Sequence, residues 1–194
     1  MIGLVGAHRT GKSTLCQALQ EVRQGFLKEH KISISKMQSQ LGYNSSNQSY
    51  DWETRKSIQS YLLSMFESSL GLGRIQLAQM LVRISERTPL DLIGYTVVNM
   101  PDNATQEDIE WVSAYTEKCI RLTNQYYSNI FLLQPGISYV ECETSAKEDL
   151  MESLNAVYLR TFLDPRLTVE KHIVPADMLD LAERIGFVLE KAHV

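Results

Sequence analysis

The sequence predicts an α/β domain built on a mostly parallel sheet. Three observations carry this. Short apolar stretches recur at residues 2–5, 32–35, 81–85, 129–133 and 172–174. Longer stretches of helical periodicity lie between them, the pattern of strands joined by crossover helices. A glycine-rich turn at residues 6–13 links the first strand directly to the first helix.

The elements follow in order. Residues 2–5 read as a short buried strand. Residues 12–24 read as a helix with Leu15, Leu19 and Val22 on one face. Residues 32–35 alternate like a second strand, and a polar loop at 42–51 follows. A long helix is expected over 52–81, broken or kinked near Gly71 and Gly73. The third strand is expected at 81–85, with helices near 90–99 and 105–127. Thr105 with Asp108 three residues on gives the second of these a capped start. The fourth strand covers 129–133, a helix 147–163 and the fifth strand 172–174. Pro175 then opens a last helix that runs to about Lys191.

The chain of 194 residues is long enough for one sizeable core and reads as a single domain over 1–194. A 44% hydrophobic and 22% charged composition excludes low-complexity and disordered classes. No apolar run approaches the roughly 18 residues of a membrane span. The start of the chain lacks the long apolar region of a secretory signal. Cys16, Cys119 and Cys142 are few, odd in number and far apart, so neither a zinc site nor a disulfide framework is suggested. A reducing cytoplasm is the expected location. The net charge of −4 disfavours nucleic acid as the main partner. Residues 1–97 hold 11 Lys and Arg against 7 Asp and Glu, whereas 98–194 hold 8 against 16. A phosphate-bearing ligand is better received by the first half.

Gly6, Ala7, His8, Arg9, Thr10, Gly11, Lys12 and Ser13 fit the pattern G-x-x-x-x-G-K-[ST], with a strand before and a helix after. Glycines let successive backbone N–H groups turn inward toward phosphate oxygens. The helix N-terminus adds partial positive charge. Lys12 is expected to reach the β- and γ-phosphates of ATP, Ser13 to ligate Mg²⁺, and Thr14 to touch the α-phosphate. Arg9 is a candidate phosphate contact. His8 belongs to the loop but is expected to face solvent. The fold class is therefore a P-loop NTPase three-layer sandwich.

A second constellation, Ser85-Glu86-Arg87-Thr88-Pro89-Leu90-Asp91, leaves the third strand and enters a helix that carries Tyr95. With the loop at 6–14 it resembles the P-loop nucleoside and nucleotide kinases, in particular the family of nicotinamide riboside kinase domains and phage kinases. The resemblance implies a five-stranded parallel sheet, ATP and Mg²⁺, and phosphoryl transfer to a nucleoside, nucleotide or related small molecule. It leaves a homodimer open, since such kinases often pair through long helices. Glu86 fits a metal-shell carboxylate or proton acceptor, and with Ser13 completes the expected metal set. Arg87 fits a group that neutralises developing charge, and Asp91 one that holds a sugar hydroxyl. The plain alternative is an ordinary helix start, with Glu86 and Arg87 solvated, Pro89 in the first turn and Asp91 favouring the macrodipole.

The pattern differs in two places. Residues 33–38 carry no carboxylate where many such kinases place a base, so Glu86, Asp51 or Glu53 must serve. Residues 134–150 contain Lys147 but no arginine for a lid, leaving Arg160 and Arg166 to reach in. Arg55, Lys56 and Gln59 are candidates for acceptor binding, and Trp52, Tyr61 and Phe66 for base stacking. Residues 174–176 mark a guess at the adenine edge. Residues 143–147 read like the guanine loop of small GTPases, but the partner motifs of that family are missing. A kinase acting on a modified base in DNA and a non-catalytic regulatory module stand as alternatives.

Overall fold

The structure, a computed structural model, describes residues 1–23, 27–29, 39, 42, 50–75, 82–137 and 148–194. In chain order the elements are β1 (Ile2–Val5), α1 (Lys12–Val22), β2 (Leu27–Glu29), α2 (Trp52–Ile75), β3 (Val82–Ser85), α3 (Pro89–Val98), α4 (Gln106–Tyr126), β4 (Asn129–Leu133), α5 (Glu148–Phe162), β5 (Glu170–Val174) and α6 (Leu181–Ala192). The strands pair in the order β2-β3-β1-β4-β5, all parallel. Gly3 of β1 lies opposite Ser85 on one side and Ile130 on the other. The chain therefore crosses from one side of β1 to the other between β3 and β4. That switch makes a crevice at the carboxyl ends of β1, β3 and β4, where ligands of open α/β sheets bind.

The two faces follow from strand alternation. Ile2, Leu4, Phe131 and Leu133 point to one face, where they pack with Leu15, Leu19 and Val188 of α1 and α6. Val5, Ile130 and Leu132 point to the other, where Leu62 and Phe66 of α2, Leu90 and Ile93 of α3, Ile120 of α4 and Leu154 and Tyr158 of α5 cover them. Gly3 and Gly94 allow two of these layers to approach closely. A Cβ on Gly3 would sit 2.6 Å from Ile130 Cδ1, and one on Gly94 2.7 Å from Tyr158 Cζ.

Several sequence expectations change here. α2 continues through Gly71 and Gly73 without a break. Each glycine costs about 1 kcal/mol in a helix, which burial of Leu62, Phe66 and Leu70 on the same helix offsets. α6 begins at Leu181, not Pro175, because the Asp180 side chain accepts from Glu183 N at 2.9 Å and starts the helix there. The expected second strand at 32–35 lies outside the described residues, as do the ETSAK-like run at 143–147, Lys147 and Cys142. Among the described residues, no helix is long and apolar enough to cross a membrane.

Candidate functional site

The loop leaves β1 at Gly6 and closes on α1 at Gly11. Gly6 has φ 153° and Gly11 φ 87°, both in the region that favours glycine. A Cβ on Gly6 would meet the Leu133 carbonyl oxygen at 2.8 Å. Between them Arg9 also holds a left-handed conformation, φ 61°, at a cost of roughly 1–3 kcal/mol for a non-glycine residue. The Thr10 hydroxyl donates to the Ala7 carbonyl at 3.1 Å and ties the turn across its base.

The mouth of α1 is built differently from four other helix starts. Asp51, Thr88, Thr105 and Asp180 each accept a backbone N–H at the start of α2, α3, α4 and α6. α1 has Gly11 at this position, with no side-chain cap and no acidic residue in its first turn. No side chain caps its first N–H groups, so they can bond water or an anion.

Lys12 folds over this mouth. Its Nζ donates to the carbonyls of Gly6 and Ala7, both at 2.7 Å, and only 5% of the residue is exposed. Burial, then the nearby Arg87, pulls its pKa down to about 8, against the opposing pull of Asp91 and Glu86.

Ser13 donates its hydroxyl to Glu86 Oε1 at 2.6 Å. The two oxygens come from the start of α1 and the end of β3, adjacent because β1 and β3 pair. This donor set fits Mg²⁺, a hard cation that takes one or two protein oxygens and fills the rest with water and phosphate. No group of three or more His, Cys, Asp or Glu side chains that could hold a metal occurs among the described residues.

Arg87 is held from both directions. Ser85 Oγ and Tyr127 Oη donate to its carbonyl, the second at 3.3 Å. Its guanidinium stands 3.4 Å from Asp91 Oδ1. Asp91 itself is fully buried, and its Oδ2 accepts from Thr88 N at 2.8 Å and Thr88 Oγ1 at 3.1 Å. This capping box turns the carboxylate into the start of α3. Asp91, expected to hold a sugar hydroxyl, is here fully buried, bonded to Thr88 and 3.4 Å from the Arg87 guanidinium. Burial pushes its carboxyl upward, opposed by Arg87 and Lys12.

His8 does not face solvent. Its Nε2 meets the Tyr95 hydroxyl of α3, and the rings lie edge to face with centroids 5.9 Å apart. Burial, then Arg87 and Lys12, lowers its pKa to about 4, so the ring is neutral at neutral pH. Thr14 is exposed at the start of α1, beside the equally exposed Ser13.

Other sequence candidates have structural partners instead. Lys56 donates to Asp108 at 2.8 Å and pairs with Glu53 at 2.6 Å. Trp52 Nε1 donates to the same Asp108 at 2.8 Å, and its ring meets Trp111 edge to face. Gln59 accepts from Tyr115 through both its carbonyls. Arg55 donates to the Tyr50 carbonyl at 3.1 Å, Asp51 caps α2, Phe66 is core and Tyr61 packs against it. Arg166 pairs with Asp164 at 2.7 Å, shortly before the start of β5 and so toward the amino ends of the strands, opposite the loop. Arg160, in the last turn of α5, lies toward that same end. At residues 174–176, expected from the sequence as an adenine edge, the Ala176 backbone packs on Gly136 so closely that a Cβ there would stand 2.7 Å from Ala176 C.

One participant was missed by the sequence reading. Arg184 of α6 is 4% exposed and donates from Nη1 to the Thr10 carbonyl at 2.8 Å. The available signal was its spacing: four residues before Val188, it falls on the apolar face of the helix, where a charge is out of place.

No protein-family model matches the chain, and no curated protein matches it in sequence. Solved structures do. The chain is similar to deoxyadenosine kinase from M. mycoides, solved with dCMP and a flexible dCDP, at 19% identity and a TM-score of 0.67 over 99% of this chain and 98% of that one. The same enzyme with dCTP gives 0.66 over the same shares, and with dATP 0.62 over 100% and 98%, both at 19% identity. These likenesses are of fold: the chain shares the fold of that deoxyadenosine kinase from end to end.

Proposed function

We propose that this chain transfers the γ-phosphoryl group of ATP to a hydroxyl or phosphate oxygen of a nucleoside, deoxynucleotide or related small molecule. The Ser13–Glu86 contact carries this reading, because it brings the phosphate loop and the carboxylate after β3 to one point. In the transfer, the bond from the γ-phosphorus to its bridging oxygen breaks and ADP leaves as the acceptor oxygen bonds to phosphorus, a hydroxyl acceptor giving up its proton to water. The backbone N–H groups of residues 6–13 hold the phosphate tail. Lys12 exchanges its carbonyl partners for phosphate oxygens, which restores a charge partner to a buried ammonium. Arg87, aimed by Asp91, faces charge on the transferred group. Ser13 and Glu86 would hold Mg²⁺, which when bound neutralises phosphate charge.

The acceptor is proposed from the neighbours. Deoxyadenosine kinase was solved with deoxynucleotides, so deoxynucleosides and their monophosphates come first, with nicotinamide riboside as the alternative from the resemblance of the loop and the Glu86-Arg87 pair. Incubation with γ-labelled ATP, each acceptor in turn, and DNA decides among the readings. Label on a small molecule supports the proposal. Label on DNA points to the modified-base kinase, and free phosphate alone overturns transfer. Lys12→Ala is expected to abolish turnover while leaving the circular dichroism spectrum unchanged.

A further inference from the structure

Arg184 lies 174 positions from Thr10, yet its guanidinium grips the loop from outside. Nη1 donates to the Thr10 carbonyl at 2.8 Å, and Nε donates to the Met178 carbonyl, which holds the group in place. In a planar trans peptide the carbonyl of one residue and the N–H of the next point in opposite directions. The Thr10 carbonyl and the Gly11 N–H belong to one peptide. Fixing the carbonyl toward α6 therefore turns the Gly11 N–H to the far side, the side on which α1 opens. Gly11 is the residue that starts α1 without a side-chain cap. The contact also explains its identity: beyond the positive φ, a Cβ there would stand 2.9 Å from Arg184 Nη1.

The charge balance leads to the same place. Arg184 is buried, and among the described residues no carboxylate pairs with it. Its Nη2 is buried with no hydrogen-bond partner. A buried cation with no counter-charge is unfavourable. An anion on the other face of the same peptide supplies that charge, and the guanidinium in turn polarises the peptide so that its N–H donates more strongly.

We propose that Arg184 is a positioning residue for the triphosphate loop, acting through the Thr10–Gly11 peptide to aim the Gly11 N–H at a bound phosphate. This rests on the reading of residues 6–13 as a phosphate cradle. It assigns α6 a part in nucleotide affinity that involves no contact with the base or the sugar.

The test compares wild type, Arg184→Gln and Arg184→Lys by calorimetry with two probes, MgATP and magnesium tripolyphosphate, alongside urea unfolding. Arg184→Gln is expected to weaken both probes by about tenfold or more, and by the same factor, since the effect runs through the phosphate cradle alone. Arg184→Lys, which keeps a donor and the charge, is expected to recover part of the loss for both. Equal affinity of folded Arg184→Gln and wild type for tripolyphosphate overturns the inference. So does a loss confined to ATP, which would place the guanidinium on the base or sugar. If Arg184→Gln does not fold, Arg184→Lys decides: a loss below about twofold on both probes overturns the proposal. Wild type that binds neither probe sinks the phosphate-cradle reading itself and this inference with it.

Discussion

The Tyr95 hydroxyl meets Nε2 of His8, so the first turn after β1 is latched to α3, 87 residues away. The latch ties the phosphate loop to the helix that carries Thr88 and Asp91. Burial, then Arg87 and Lys12, favours a neutral imidazole in this contact, with a pKa lowered to about 4.

Acid stability follows from this pair. The folded pKa of His8 is about 4 against an ordinary 6.5. Between those values the unfolded chain binds more protons, so stability rises with pH across the window and is lost as pH falls through it. Urea midpoints at about pH 7 and about pH 5 should show a drop in wild type that is smaller in His8→Gln. Equal drops would show that His8 does not titrate in this range.

The Lys12 ammonium predicts proton uptake on binding. Its folded pKa of about 8 lies below the ordinary 10.5. Stability of the empty protein therefore rises with pH between the two, where the unfolded chain holds the extra proton. A triphosphate beside the amine favours its charged form and moves the pKa back up. Binding at about pH 8.5 should take up a fraction of a proton, little at about pH 6.5, and affinity should decline as pH rises past 8. Calorimetry in two buffers of different ionisation heat measures the uptake. Identical heats at the higher pH would contradict it.

Glu86→Gln separates charge from shape. The amide oxygen can still accept from Ser13, so stability should change by no more than about 0.5 kcal/mol. Turnover should fall by about 10²–10³, with a higher Mg²⁺ requirement, measured by magnesium titration of the initial rate. Undiminished turnover would remove Glu86 from the site.

Gly94→Ala tests the packing behind Arg87. The added methyl enters the ring of Tyr158 on α5, whose hydroxyl also donates to the Asp91 carbonyl at 3.4 Å. A destabilisation of about 1–3 kcal/mol is expected from overpacking. Tyr158→Leu in the same chain should recover part of it, read as a non-additive pair of urea midpoints.

Much of the site was legible because its parts are local. Residues 6–13 are one continuous turn, and the run at 85–91 passes straight from strand to helix. The capping signal that marks α4, Thr105 with Asp108 three residues on, also explains the correction at α6, where Asp180 outweighs Pro175. The partners of Lys56 and Trp52 are not legible because the sequence shows helix faces but not neighbours. Their partner, Asp108, is the capping residue of another helix, and only the packing of α2 on α4 brings them together. His8 was read as solvent-facing for the same reason.

By itself, then, the order of residues determined the alternation of strand and helix, the uncapped phosphate turn and the acidic-basic pair after β3. Each of these depends on interactions spanning a few residues, within reach of periodicity and backbone stereochemistry. Tertiary structure alone decided which groups stand behind the loop: Glu86 on Ser13, Tyr95 on His8 and Arg184 on Thr10. Those contacts join residues 73, 87 and 174 positions apart, and their partners are chosen by how the sheet orders its strands and by which helix covers each face.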